Sequence, residues 1–156
     1  MNKELIEIDG LYKSGKFEEV IDKTKKLIKK GQTYAPYYNL LGVSLDNIGK
    51  SDDAEKYLND AIKINSKEIS HYSNLAKILI KKNKFNDAEN ILKSASKIQK
   101  DNIFILFEYG KLERNKKNFK LSTEYLEKVY TQNPKFPNIL ILIGKNYIDI
   151  ALETNN

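Results

Sequence analysis

Apolar residues recur along this chain at helical spacing, and the whole arrangement returns about every 34 residues. In residues 69–102, Tyr72, Leu75, Ala76 and Leu79 form one apolar stripe, and Ala88, Leu92, Ala95 and Ile98 form a second. Between the stripes lies Lys81-Lys82-Asn83-Lys84, where Asn83 tolerates a left-handed turn. Phe85-Asn86-Asp87 then opens the second helix with an acid near the positive end of its dipole. The pattern predicts two antiparallel helices whose small residues, Ala76 and Ala88, let the backbones approach closely.

One unit earlier the same positions hold Tyr38, Leu41, Gly42 and Leu45, then Ala54, Leu58 and Ala61. One unit later they hold Leu106, Tyr109 and Gly110, then Ser122, Leu126 and Val129. Gly42, Gly110 and Gly144 share one position. A glycine inside a helix costs about 1 kcal/mol relative to alanine, so its recurrence argues for a helix contact that a side chain would block. The turn before each second helix carries Gly15, Gly49, Asn83 and Lys117 in turn. The expected elements are helical hairpins at about 2–30, 35–64, 69–98 and 103–132, followed by a ninth helix at about 137–152.

These residues resemble the tetratricopeptide repeat family, whose unit has an aromatic, a leucine and a glycine or alanine in its first helix, alanines around an aromatic or leucine in its second, and a closing proline such as Pro134. The departures are Ser66 and Lys100 at the closing position, Glu113 at an aromatic position, and Glu4, Glu7, Ile8, Val20 and Thr24 in the first unit. The resemblance implies an all-α, right-handed α-solenoid of helix-turn-helix hairpins. It would form a single domain of four repeats (residues 1–34, 35–68, 69–102 and 103–136) plus one C-terminal helix from a partial fifth repeat, 137–156. The polar face of the first repeat, with Glu4 and Glu7, suits an N-terminal cap. Ser51 is the expected N-cap of its helix, and the Asp52-Asp53 pair is explained by the helix dipole rather than by acid–base chemistry.

Candidate chemistry is sparse. The chain has no cysteine and a single histidine, His71, at a position expected to pack. It therefore lacks thiolate ligands, thiol nucleophiles and a second imidazole, and no phosphate-binding glycine loop is present. We expect no catalytic residues, no metal and no cofactor, and a non-enzymatic protein. Its start offers no apolar leader, and its longest apolar runs, residues 103–107 and 139–143, are far short of a membrane span, so the expected location is the cytoplasm.

Charge changes the picture in one half. The formal net charge is +6, and the excess sits in the third and fourth repeats, but Arg114 is the only arginine and an AT-rich genome could supply the lysines. The family's ligand groove runs along the first helices. Carried onto this sequence it is lined by Lys77, Ile80, Lys81, Phe104, Phe107, Lys111, Arg114 and Lys145. Interleaved cations and apolar groups there imply a protein–protein interaction scaffold or adaptor, holding a partner peptide or segment with acidic and apolar residues. The clamp by which some family members hold a C-terminal carboxylate is missing, since its positions read Leu5, Asp9, Leu40, Ser70 and Asn74, or one repeat later Asn39, Val43, Asn74, Phe104 and Glu108. RNA binding in the same basic groove is a second reading, against which the lone arginine counts. Self-assembly as a structural adaptor is a third. Leu140, Ile143 and Tyr147 of the last helix match positions that a following helix would cover, so they form the expected edge for a homodimer, unless the sequence continues in a longer protein.

Overall fold

The computed structural model describes residues 2–154; the outermost residues of the first and fifth repeats, 1 and 155–156, lie outside that range. Nine α-helices make up the described residues, with no strand among them: α1 (Lys3–Lys13), α2 (Phe17–Lys29), α3 (Ala35–Asn47), α4 (Ser51–Ile64), α5 (Ile69–Lys81), α6 (Phe85–Ile98), α7 (Ile103–Asn115), α8 (Phe119–Gln132) and α9 (Ile139–Thr154). This is the all-α helical repeat expected from the periodicity. Compactness divides the chain into two units, Met1–Ile78 and Leu79–Asn156.

The hairpin turns explain why the register holds. Gly15, Gly49, Asn83 and Lys117 all adopt left-handed φ angles of 73°, 82°, 58° and 65°. At each, the next residue returns its N–H to a carbonyl five residues back: Lys16 to Leu11, Lys50 to Leu45, Lys84 to Leu79 and Asn118 to Glu113, at 3.0, 2.8, 2.9 and 2.8 Å. Such a cap satisfies carbonyls that the helix end leaves open. At Lys117 it is kept although a side chain disfavours that backbone region by roughly 1–2 kcal/mol.

In the first unit, Ile8, Val20, Leu27, Tyr37 and Leu40 form a core from α1, α2 and α3. Thr24, a departure from the apolar pattern, is fully buried and donates its hydroxyl to the Val20 carbonyl at 2.7 Å. Tyr37 is also buried. Its hydroxyl accepts from Asn2 Nδ2 at 2.7 Å and faces Glu4 Oε2 at 3.3 Å, so Glu4 belongs to a polar seam rather than to a purely solvated cap. Ser51 is not the N-cap: Lys50 occupies that place, and Ser51, the first helical residue, donates to Asp46 Oδ1 at 2.7 Å.

In the second unit, Leu106, Leu126, Val129, Ile139 and Ile143 form the core where α7, α8 and α9 meet. The last helix starts at Ile139, two residues after Pro137, because Asn138 takes a left-handed φ of 60° and breaks the run. Just before this break, Phe136 tucks its ring 4.8 Å from Phe107 and 6.0 Å from Phe104.

Candidate functional site

The residues expected to line a groove divide sharply once their surroundings are known. Phe104 is 55% exposed and leans on Phe136, while Phe107 is half-buried beneath it. Asn102 positions Phe104 by capping α7, its side chain accepting from the Phe104 and Ile105 amides at 3.0 and 3.3 Å. Lys111 lies one turn further on. Its ammonium is 5.6 Å from the centre of the Phe107 ring and 2.9 Å from the buried Glu108 carboxylate. Aromatic surface and a cation thus share one side of α7. Lys145 is exposed on α9, Lys81 is exposed at the end of α5, and Lys77 is exposed in the first unit.

Two expected groove residues are not groove residues. Ile80 is only 4% exposed and serves the core. Arg114 is committed to the fold: its guanidinium bonds Asn146 Oδ1 and Asp149 Oδ2, the latter at 2.6 Å, and lies 5.4 Å from the Phe119 ring centre. The chain of bonds continues inward. The fully buried Asn146 donates to Ser122 Oγ at 2.8 Å, and Ser122 donates to the Gly110 carbonyl at 2.7 Å. One relay therefore ties α7, α8 and α9, and it uses Arg114 as a structural cation.

The expected self-association edge is corrected in the same way. Ile143 is 9% exposed and packs in the core with Leu106 and Leu126, because α9 turns Ile139, Ile143 and Asn146 towards the preceding hairpin. Leu140 and Tyr147 are exposed as expected, and Tyr147 donates its hydroxyl to Glu127 at 2.8 Å.

Two features escaped the sequence reading. Glu113, where an aromatic was expected, is buried and accepts from Lys116 Nζ at 3.1 Å and Asn118 Nδ2 at 2.8 Å; Lys116 also bonds Glu89 at 2.8 Å. Hydrogen bonds from Lys116 and Lys93 hold the Glu89 carboxyl down to about 2. Burial pushes the Lys116 ammonium down, but its bonds to Glu89 and Glu113 outweigh this and its pKa is raised. The other feature is a cavity of about 760 Å³ in the first unit, lined by α1, α3 and the start of α5. Leu5, Ile6 and Leu40 give it apolar walls, and Asp9 and Glu68 stand among its lining residues. His71 also lines it; this imidazole is 2% exposed, neither ring nitrogen has a hydrogen-bond partner, and burial lowers its pKa. Among the described residues no group of three or more His, Cys, Asp or Glu side chains could hold a metal ion.

A sequence model of the tetratricopeptide repeat matches residues 35–68 and 71–102. Those two stretches are tetratricopeptide repeats. Solved structures agree on the fold. A crystal structure of MamA is 20% identical with a TM-score of 0.76, the match covering 97% of this chain and 86% of that one. TTC0263, a thermophilic TPR protein in Thermus thermophilus, is 18% identical with a TM-score of 0.76, over 90% of this chain and 78% of that one. YrrB, described as a TPR protein with an unusual peptide-binding site, is 16% identical with a TM-score of 0.73, over 85% and 69%. No curated protein sequence matches significantly. Tetratricopeptide repeats are in general non-enzymatic scaffolds for protein or peptide partners, and no helix among the described residues is long and apolar enough to cross a membrane.

Proposed function

We propose that this protein is a non-enzymatic, cytoplasmic adaptor that holds a partner segment carrying apolar and acidic residues against the α7 side of its second unit. The observation that carries this reading is Phe104, a large aromatic left 55% exposed on a helix whose next turns bring a second ring, Phe107, and the Lys111 ammonium. An exposed ring costs little to leave in place and gains much when a partner covers it, which is how interface anchors behave. Lys145, exposed on α9, adds positive charge in the same unit. Since Arg114 is held inside the fold and Lys111 is paired with Glu108, the charge available to a ligand is modest, and apolar anchoring carries most of the affinity.

The test is a fluorescence binding titration with short synthetic peptides in three classes: apolar with acidic flanks, apolar with basic flanks, and acidic alone. Only the first class should bind, and Phe104→Ala should weaken it about tenfold or more with little change in salt dependence. Lys145→Glu should instead weaken it most at low salt. Binding of the basic class, or indifference to both substitutions, would reject this surface. Tight, steeply salt-dependent binding of single-stranded RNA would favour the second reading, an RNA-binding repeat protein.

A further inference from the structure

The glycine shared by three repeats is in contact in two of them and open in the third. A β-carbon on Gly42 would lie 2.7 Å from Leu58 of α4, and one on Gly110 would lie 2.6 Å from Leu126 of α8. In both hairpins a leucine of the second helix sits on the glycine of the first. A β-carbon on Gly144 of α9 would meet nothing within 4 Å. Around it, Leu140, Ile148 and Leu152 each expose about 60% of their surface, an apolar stripe on the side of α9 opposite Ile139 and Asn146.

The two helices that cover such a glycine share a pair of residues: a small one and, four positions later, the leucine that sits on the glycine. It reads Ala54 and Leu58 in α4 and Ser122 and Leu126 in α8. The exposed face of α9 carries a similar pair itself, as Gly144 and Ile148. Among the described residues α9 therefore presents both an open glycine and the kind of pair that covers one.

We propose that two copies of this chain pair through the exposed face of α9, antiparallel about a two-fold axis that passes midway between Gly144 and Ile148, with Gly144 of each receiving Ile148 of the other. The two-fold operation makes both contacts equivalent, as an isologous interface requires. Antiparallel pairing at this register also sets Leu140 level with Leu152 of the partner subunit, so exposed apolar residues meet at both ends of the stripe. The contact continues in trans the packing that Gly42 with Leu58, and Gly110 with Leu126, make within the chain. From Leu140 to Leu152 the stripe runs about 18 Å at the helical rise, less than a standard interface, so the dissociation constant belongs in the micromolar range. This proposal is independent of the peptide surface around Phe104.

Sedimentation of the full chain from about 1 to 100 μM spans that range. The wild-type mass should rise from 18.0 kDa towards twice that value with concentration. Gly144→Leu adds its side chain to open space in the single chain, so it should keep the fold while weakening association about tenfold or more by blocking the close approach. Ile148→Glu, on the same exposed face, should do likewise, and circular dichroism checks that both variants remain helical. A wild-type chain that stays at 18.0 kDa throughout overturns the proposal and leaves the stripe to a helix of different origin. A dimer that tolerates Gly144→Leu overturns it equally.

Discussion

Leu126 fills the place of a β-carbon on Gly110, its Cδ2 atom only 2.6 Å from where that carbon would be. The hairpin of α7 and α8 is drawn together at this point, and Ser122 seals it by donating to the Gly110 carbonyl. Gly42 and Leu58 repeat the arrangement in the first unit. The glycine thus gives up helix propensity in return for close packing of leucine on backbone. Gly42→Leu and Gly110→Leu should each destabilise the fold by about 1–3 kcal/mol or more in urea unfolding. Gly144→Ala, which meets nothing, should raise stability by up to about 1 kcal/mol when measured dilute. Equal effects at the three positions would show that the glycines are kept for some reason other than contact.

Lys116 should matter more to stability than a lysine at a turn ordinarily does. It is the cation between Glu89 and the buried Glu113. Lys116→Met leaves Glu113 with Asn118 alone, an under-compensated buried charge, and should cost about 3–5 kcal/mol. Replacing both partners, Glu113→Leu with Lys116→Met, restores the apolar pattern of the other repeats and should recover most of that loss. Thermal unfolding of the three proteins reads the difference directly; additive losses in the double variant would mean that the pair is not coupled.

The repeat made most of this fold legible. Once the spacing near 34 residues is seen, the turn at Lys117 can be placed by its register with Gly15, Gly49 and Asn83, although nothing about lysine suggests a left-handed backbone. The same logic misled at the candidate site. Repeat position assigned Arg114 to a groove, but a position does not reveal what the next repeat offers, and here Asn146 and Asp149 capture the guanidinium. Ile143 was misplaced because a position that touches two neighbours was read for only one of them; α9 buries it against the preceding hairpin. Glu113 looked like a flaw in an apolar pattern, and its reason lay in Lys116 and Asn118, which are not part of that pattern at all. Local periodicity finds helices and cores, whereas polar partnerships between repeats depend on side-chain reach.

His71 offers the cleanest pH test, because it is the only histidine in the chain and carboxylates titrate at lower pH. Burial lowers its pKa below the ordinary 6.5, the Glu68 charge pulls weakly the other way, and neither nitrogen has a partner. The unfolded chain therefore takes up a proton at a pH where the folded chain does not. A depressed folded pKa of this kind means that the stability tied to His71 is fully present above pH 6.5 and is lost as pH falls towards the folded value. Wild-type protein should lose stability between about pH 7 and pH 5, while His71→Leu should be flat over that interval. The leucine variant should also be more stable at neutral pH by about 1–3 kcal/mol, since it removes two buried nitrogens that make no hydrogen bond. Urea unfolding at half-unit steps of pH separates the two effects. A parallel pair of curves would show that His71 is protonated as readily in the folded chain as in the unfolded one, and that its burial does not isolate it from water.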